Sequence, residues 1–436
     1  MASGVGKTTV ATGLLAALRS RPGLHPAGAK AGPDFIDPGY HALACGRAPR
    51  NLDPWLCGAA AIPGLAARAA EGAGLLVVEG VMGLFDGAAD GSPSSTADVA
   101  RLLDAPVILV VDASGMSRSV AAVVHGFRTW DPTLRIAGVI LNRVGSDVHE
   151  AMLREALDSD LPVLGVLRRD DRFTWRDRHL GLVPVAERRP EVAQALDTLA
   201  AAVAESVDLD AVVRLAASAP ARATAPVALP PPGPPVRIAV AAGHAFTFTY
   251  TDTLDALAAG GAEIVPFDPC TAAALPPDLD GLLAGGGFPE VYAAELAANR
   301  PLLDDVAAAM GRGLPTWAEC GGLLWLAGSL DGHRMAGVVP GTAVLTDRLT
   351  LGYRTATANR DTPVGPTGTT LRGHEFHYSR IDPPGDALTL SGRWGNHADG
   401  TATPTLLATY LHHHPGGDPT AVANFLATCR FHRASA

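Results

Sequence analysis

Cys320 has the setting of a thiol nucleophile. Thr316-Trp317-Ala318-Glu319 leads into it, and Gly321-Gly322-Leu323-Leu324-Trp325-Leu326 follows. This order predicts a strand, a sharp turn and a helix, with the thiol at the turn and small residues beside it. A thiol at a helix N-terminus is expected to ionise below the ~8.5 of free cysteine. After the apolar pair Leu282-Leu283, the run Gly285-Gly286-Gly287-Phe288-Pro289-Glu290 offers backbone N–H groups. Gly286 and Gly287 are the expected oxyanion donors. Tyr410-Leu411-His412-His413-His414 offers a base far from Cys320 in sequence, the usual layout of a thiol acyl-transfer site. The blander alternatives are a metal on the three histidines and an inert buried thiol.

A second chemistry sits at the other end of the chain. Gly4-Val5-Gly6-Lys7-Thr8-Thr9 before an apolar helical pattern is the latter part of a P-loop. Its glycines let backbone N–H groups curl round phosphate, and the helix dipole adds positive potential. Lys7 would reach the outer phosphates, and Thr8 would bind Mg²⁺. The full pattern calls for a glycine where Met1 stands and for a strand in front of it. We expect a start assigned too far downstream rather than a damaged loop. Four carboxylates suit a Mg·ATP site: Asp34 and Asp37 in a turn-rich loop, Glu79 closing an apolar strand, and Asp86 in a glycine-flanked loop. Thr8 and Glu79 are the expected metal ligands. Any single one of these aspartates could equally cap a turn.

The elements that must position these groups alternate. Leu75–Val78, Val107–Val111 and Ile136–Leu141 read as strands, separated by the amphipathic stretches Met116–Phe127 and Asp147–Leu157. Such alternation predicts βαβ units and a parallel sheet covered on both faces. Six prolines between Pro226 and Pro235 mark a semi-rigid linker. Val236–Val240 then opens a second alternating block. The expected division is 1–215, a linker 216–235, and 236–436.

A chain of 436 residues with 47% hydrophobic and 18% charged residues folds into such domains. A net charge of −10 without a basic stripe argues against nucleic acid as a partner. The sequence lacks an apolar run of membrane-spanning length or a signal-like N-terminal segment, so a cytoplasmic protein without a membrane partner is expected. The five cysteines lack CxxC spacing, which argues against a disulfide framework or a zinc ribbon.

Together these residues resemble the glutamine-hydrolysing a,c-diamide synthases of corrin biosynthesis. The matching stretches are SGVGKTTV, KAGPDFIDPGYH, RNLDPWL, VEGVMGLFDG and LNRVGS, then AGGGFPE, ECGGLLWL, LGYRTATA, RGHEFHYS and TYLHHH. The resemblance implies an α/β chain in which a dethiobiotin-synthetase-like P-loop domain precedes a class I, triad-type glutamine amidotransferase domain. It implies Cys320 as nucleophile, His412 as base, and Gly4, Gly6, Lys7, Thr8 and Thr9 around ATP, with Asn142 similar to an adenine reader. The implied substrates are a corrinoid carboxylate, L-glutamine and ATP with Mg²⁺, and a homodimer is compatible with it. Where many class I amidotransferases carry a glutamate two residues after the histidine, this chain has His414, so the group that orients His412 is open between His414 and a residue elsewhere. The rival readings are amidation of another tetrapyrrole such as nickel-sirohydrochlorin, a glutaminase with an inactive ATP domain, and a regulatory P-loop ATPase. That last class carries a signature lysine where Ala2 stands and has no amidotransferase domain.

Overall fold

The computed structural model describes residues 1–157, 160–170, 177–178, 181–182, 189–220 and 226–435. It comprises two compact units, Met1–Val227 and Ala228–Ala436. The boundary falls inside the proline-rich stretch, of which residues 221–225 lie outside the described ones. The helix Leu209–Ala217 runs two residues into the expected linker, because Leu209 and Val212 are buried and Asp208 caps it through the Ala211 N–H.

In the first unit, α1 (Lys7–Arg19) starts directly after the glycine loop. Strands β1 (Pro26–Ala31), β2 (Arg50–Leu52) and β3 (Leu75–Glu79) form one parallel sheet in the order β2-β1-β3. Strands β4 (Val107–Asp112), β5 (Ile136–Val144) and β6 (Val163–Arg168) form another in the order β4-β5-β6. The expected strands are therefore present, each extended by one to three residues at its C-terminal end. The outer edge of β4 meets the amino group of Met1, 3.5 Å from the Val110 carbonyl. The helices α2 (Asp37–Cys45) and α3 (Arg189–Ser206) flank α1. Gly13 lets α1 and α3 close up, since a Cβ there would stand 2.7 Å from Val203. The candidate phosphate site lies at strand C-termini, where open α/β sheets gather ligands: Glu79 ends β3, and Asn142 lies near the end of β5.

In the second unit, β7 (Val236–Ala241), β8 (Ala262–Phe267), β9 (Gly281–Ala284) and β10 (Thr316–Glu319) are parallel neighbours in the order β8-β7-β9-β10. The helix α4 (Ala293–Ala298) lies between β9 and β10, and α5 (Gly321–Leu326) leaves β10. A second sheet departs from the expected uniform βα alternation. Its centre is the long antiparallel pair β11 (Val339–Ala358) and β12 (Thr370–Asp382). Strand β13 (Leu406–Thr409) extends the parallel sheet beside β10, and the two-residue β14 (His412–His413) pairs with β12. The chain thus passes from one sheet to the other within the TYLHHH stretch. Trp317, Trp325 and Phe425 are fully buried in the cores on the two faces of the parallel sheet. Burying large apolar side chains stabilises by roughly 1.5–3 kcal/mol each, so these residues anchor the sheet that carries Cys320. No described helix is long and apolar enough to cross a membrane.

Candidate functional site

Cys320 stands between β10 and α5 at φ +47°, ψ −99°. A non-glycine residue held there is strained, and the surroundings must impose it. They do so on both sides. The Cys320 N–H donates to the Thr409 carbonyl of β13 at 2.7 Å, and α5 lies so close to β9 that a Cβ on Gly322 would be 2.2 Å from the Ala284 carbonyl. The elbow expected from sequence is therefore present. The ionisation expected there is not: burial, then the Glu290 carboxylate, push the Cys320 thiol well up, against the pull of the Gly321 N–H. α5 has only six residues, too short for its dipole to offset desolvation of a buried thiolate. Burial therefore favours the thiol over the thiolate at Cys320.

His412, the expected base, lies beside the elbow. Its ring packs on Gly286, where a Cβ would stand 2.5 Å from His412 Cε1, and a Cβ on Gly321 would lie 3.2 Å from the Gly286 carbonyl carbon. His412 and the elbow thus flank one glycine, and a side chain there would clash with the His412 ring. Gly286 is not a free oxyanion donor, however: its N–H donates to the Phe248 carbonyl at 3.0 Å, in a two-way bridge with that residue. Gly287, the other expected donor, lies closer to the elbow: a Cβ on Gly321 would stand 3.0 Å from its nitrogen.

His414, one of the two places left open for a group that orients His412, lies 3.6 Å from Asp252 and accepts the Gly416 N–H at 3.0 Å. Glu319 Oε2 stands 3.7 Å from His412 Nδ1, while Oε1 accepts the His413 N–H at 3.2 Å. The sequence signal for Glu319 was its position just before Cys320, on the strand that pairs with β13. His374 of RGHEFHYS stacks on His412 with ring centroids 5.0 Å apart. Burial, then the neighbouring His412 and His414, hold His374 well below the ordinary histidine range, so it is a neutral wall. The third histidine, His413, faces the Arg372 carbonyl at 2.9 Å. The three do not converge as metal ligands.

Behind this wall the rest of RGHEFHYS forms a charged network. Glu375 takes Arg354 Nε at 2.6 Å, with His377 at 3.4 Å and His397 at 3.3 Å. His377 lies flat on Tyr410, 3.8 Å between centroids, and the Tyr410 hydroxyl donates to Ser379 at 3.1 Å. Burial opposes the charge on Glu375, but His377 and Arg354 outweigh it and hold the carboxyl at about 2.

The phosphate end is organised by charge. Gly4 and Gly6 take φ +77° and +89°, giving the loop its curl ahead of α1. Thr8 Oγ1 donates to Glu79 Oε1 at 2.7 Å and reaches Asp37 Oδ2 at 3.2 Å. Two of the four expected carboxylates therefore converge on the P-loop threonine. The other two act mainly on turns: Asp34 accepts the Ile36 N–H at 2.7 Å, and Asp86 accepts the Gly83 N–H at 2.8 Å. Sequence reasoning passed over Lys30 and His41. The buried Lys30 bonds to Asp37 at 2.5 Å and Glu79 at 2.8 Å, and His41 Nε2 meets Glu79 Oε2 at 2.6 Å. Burial opposes charge on Glu79, yet Lys30 and His41 hold its carboxyl well below the usual range. Burial, then the Asp34 and Glu79 charges, push Asp37 up. Burial, then Lys30, pull Lys7 down, and its Nζ donates to the Ala2 carbonyl at 2.7 Å. Asn142 braces the loop, donating from Nδ2 to the Val5 carbonyl at 2.9 Å. Thr9 lies in the first turn of α1.

The oxygen set Thr8, Asp37 and Glu79 suits a hard divalent cation. Beside a glycine loop it provides for a nucleotide, while the second unit provides for acyl transfer from an amide.

Comparison with known proteins agrees on both halves. Residues 1–183 match the CobQ/CobB/MinD/ParA nucleotide binding domain, and residues 237–420 match the CobB/CobQ-like glutamine amidotransferase domain. A hydrogenobyrinate a,c-diamide synthase of Streptomyces coelicolor is 49% identical, covering 98% of this chain and 96% of that protein. One from Mycobacterium bovis is 47% identical over the same shares. A cobyrinate a,c-diamide synthase of a Synechococcus strain is 40% identical, again with 98% and 96% covered. With both domains matched and near full-length relatives at this identity, the chain belongs to the hydrogenobyrinate/cobyrinate a,c-diamide synthase family, enzymes that use glutamine as nitrogen donor.

Proposed function

We propose that this chain amidates the a and c carboxylates of hydrogenobyrinate in cobalamin biosynthesis, consuming glutamine and ATP. A carboxylate resists attack by ammonia until it is activated. The substrate carboxylate takes the γ-phosphoryl group of ATP, giving an acyl phosphate and ADP. Lys7 exchanges the Ala2 carbonyl for the phosphates and offsets charge on the transferring group. The residues present fit a Mg²⁺ ion on Thr8, Asp37 and Glu79, which when bound supplies charge neutralisation at the phosphates. Asn142 keeps the loop in shape through Val5, the role its contact supports beside that of base reader.

In the second unit, the Cys320 thiol loses its proton to His412 and attacks the glutamine amide carbon. The Gly287 N–H donates to the oxyanion that forms. His412 returns the proton to the leaving nitrogen, ammonia departs, and a thioester remains that water hydrolyses to glutamate. Ammonia then displaces phosphate from the acyl phosphate, forming the amide. The sequence of steps occurs once at each carboxylate.

The observation carrying this reading is the pair of sites itself: an elbow cysteine beside a histidine on one unit, and a threonine–carboxylate cluster under a glycine loop on the other. The greater identity to relatives named for hydrogenobyrinate supports the cobalt-free substrate over cobyrinate. The test is mass spectrometry of products with ATP, Mg²⁺ and glutamine, offering each acid separately. Diamide from hydrogenobyrinate alone is expected. Diamide from cobyrinate alone would overturn the substrate assignment, and glutamine hydrolysis without either amide would overturn the reaction.

A further inference from the structure

Away from the Cys320–His412 pair, three different elements of the second unit bring a histidine, a cysteine and a glutamate together. His244 follows β7, Cys270 follows β8, and Glu295 lies on α4. Their ligand atoms all lie within 4.8 Å of one another, and His244 Nε2 is 3.4 Å from Glu295 Oε2. Tetrahedral coordination with metal–N, –O and –S bonds of 2.0–2.3 Å requires donor separations of about 3.3–3.8 Å. The His244–Glu295 edge of such a tetrahedron is already set. We propose that His244, Cys270 and Glu295 form a site for a thiophilic divalent cation of the Zn²⁺ class, with the fourth position left to water or Asp268.

The surroundings support the donor set. The His244 ring lies against Tyr292, 4.4 Å between centroids, which limits its orientations. The Cys270 N–H donates to Asp268 Oδ1 at 2.9 Å, fixing the turn that presents the thiol. Gly243 permits the approach, since a Cβ there would stand 2.5 Å from the Asp268 carboxyl carbon. Burial, then the Asp268 and Glu295 carboxylates, push the Cys270 thiol up to about 12. Without a cation it is therefore a thiol, and binding releases its proton to solvent. The half-buried site is reachable: His244 is 30% exposed and Glu295 61%.

The location gives the cation an effect on the glutaminase. The residue after His244 is Ala245, whose carbonyl accepts the Phe288 N–H at 3.1 Å and would lie 2.1 Å from a Cβ on Gly287. A cation clamping His244 to Cys270 and Glu295 fixes the backbone that supports the Gly287 oxyanion donor.

The test uses Co²⁺ as a spectroscopic probe on the full chain. A thiolate-to-Co²⁺ charge-transfer band saturating at one equivalent is expected. The band should persist in Cys320→Ser, vanish in Cys270→Ser, and require at least tenfold more Co²⁺ in His244→Ala. Competition by Zn²⁺ should bleach it. A band that survives Cys270→Ser but is lost in Cys320→Ser would place the ion on the catalytic thiol and overturn the proposal. So would a wild-type chain that shows no band at one equivalent. Metal-free glutaminase activity in Cys270→Ser and His244→Ala shows that both variants fold. If Cys270→Ser fails this check, an unchanged Co²⁺ affinity in His244→Ala alone overturns the site.

Discussion

The two sites solve opposite electrostatic problems. Around Thr8, Lys30 and Glu79 are packed out of water and hold opposite charges against each other at 2.8 Å, with Asp37 and His41 bonded to the same pair. Around Cys320 two buried groups are held neutral: the thiol is pushed up and His374 is pushed down, in each case mainly by burial. A phosphate site must meet a highly charged ligand, so its charges are kept in place and matched beforehand. A thiol site that generates charge only during reaction depends on geometry, so strain and close glycine contacts hold it. Positioning by charge fails when a partner is removed. Positioning by backbone fails when a contact is filled.

The sharpest test of this contrast is Cys320→Ala. It should lower glutamine-dependent amidation by roughly 10³-fold or more while amidation from added ammonium persists, since the phosphate site is untouched. Parallel assays with glutamine and ammonium measure this, and equal loss of both would break the separation. Next comes Lys30→Met. It strands Glu79 and Asp37 side by side out of water and should destabilise the first unit by about 3–5 kcal/mol, read in denaturant unfolding. Stability within 1 kcal/mol or so of the parent would mean the network is not charge-matched as described.

The Glu375 network lies between the two styles, being a charged cluster that backs the neutral site. Its carboxyl is depressed from 4.5 to about 2, so its stabilising contribution is complete above pH 4.5 and is lost as pH falls toward 2. The second unit should lose on the order of 1–3 kcal/mol across that window, and Glu375→Gln should flatten the profile. Unfolding midpoints from pH 6 down to 2.5 check this, and a profile as steep in the variant would refute it. The smallest effect is expected for Glu319→Gln, which keeps the shape but removes the charge facing His412 Nδ1. Glutaminase kcat should fall about tenfold with KM for glutamine little changed, and Glu319→Asp should recover part of it. A change confined to KM would mean Glu319 acts on binding rather than on the base.

Much of this was legible in the residues. Gly6-Lys7-Thr8 before an apolar helix, and Glu319-Cys320-Gly321-Gly322 after an apolar strand, announce their local structure because turn, strand and helix there depend on neighbours in sequence. The convergence of Asp37 and Glu79 on Thr8 was within reach, since strand ends gather at one edge of a parallel sheet. Separating Asp37 from Asp34 and Asp86 was not, because these three sit in turn-rich segments that read alike.

The sequence by itself determined the two domain types, the elbow at Cys320, the phosphate loop and the family, since each rests on short stretches whose backbone geometry is local. Only the tertiary structure decided which atoms meet. It buried Lys30 between carboxylates from other elements, turned His414 toward Asp252, and set Glu319 beside His412. It also reversed the expected ionisation of Cys320, because the burial of a thiol depends on everything packed around it and cannot be read from the residues on either side.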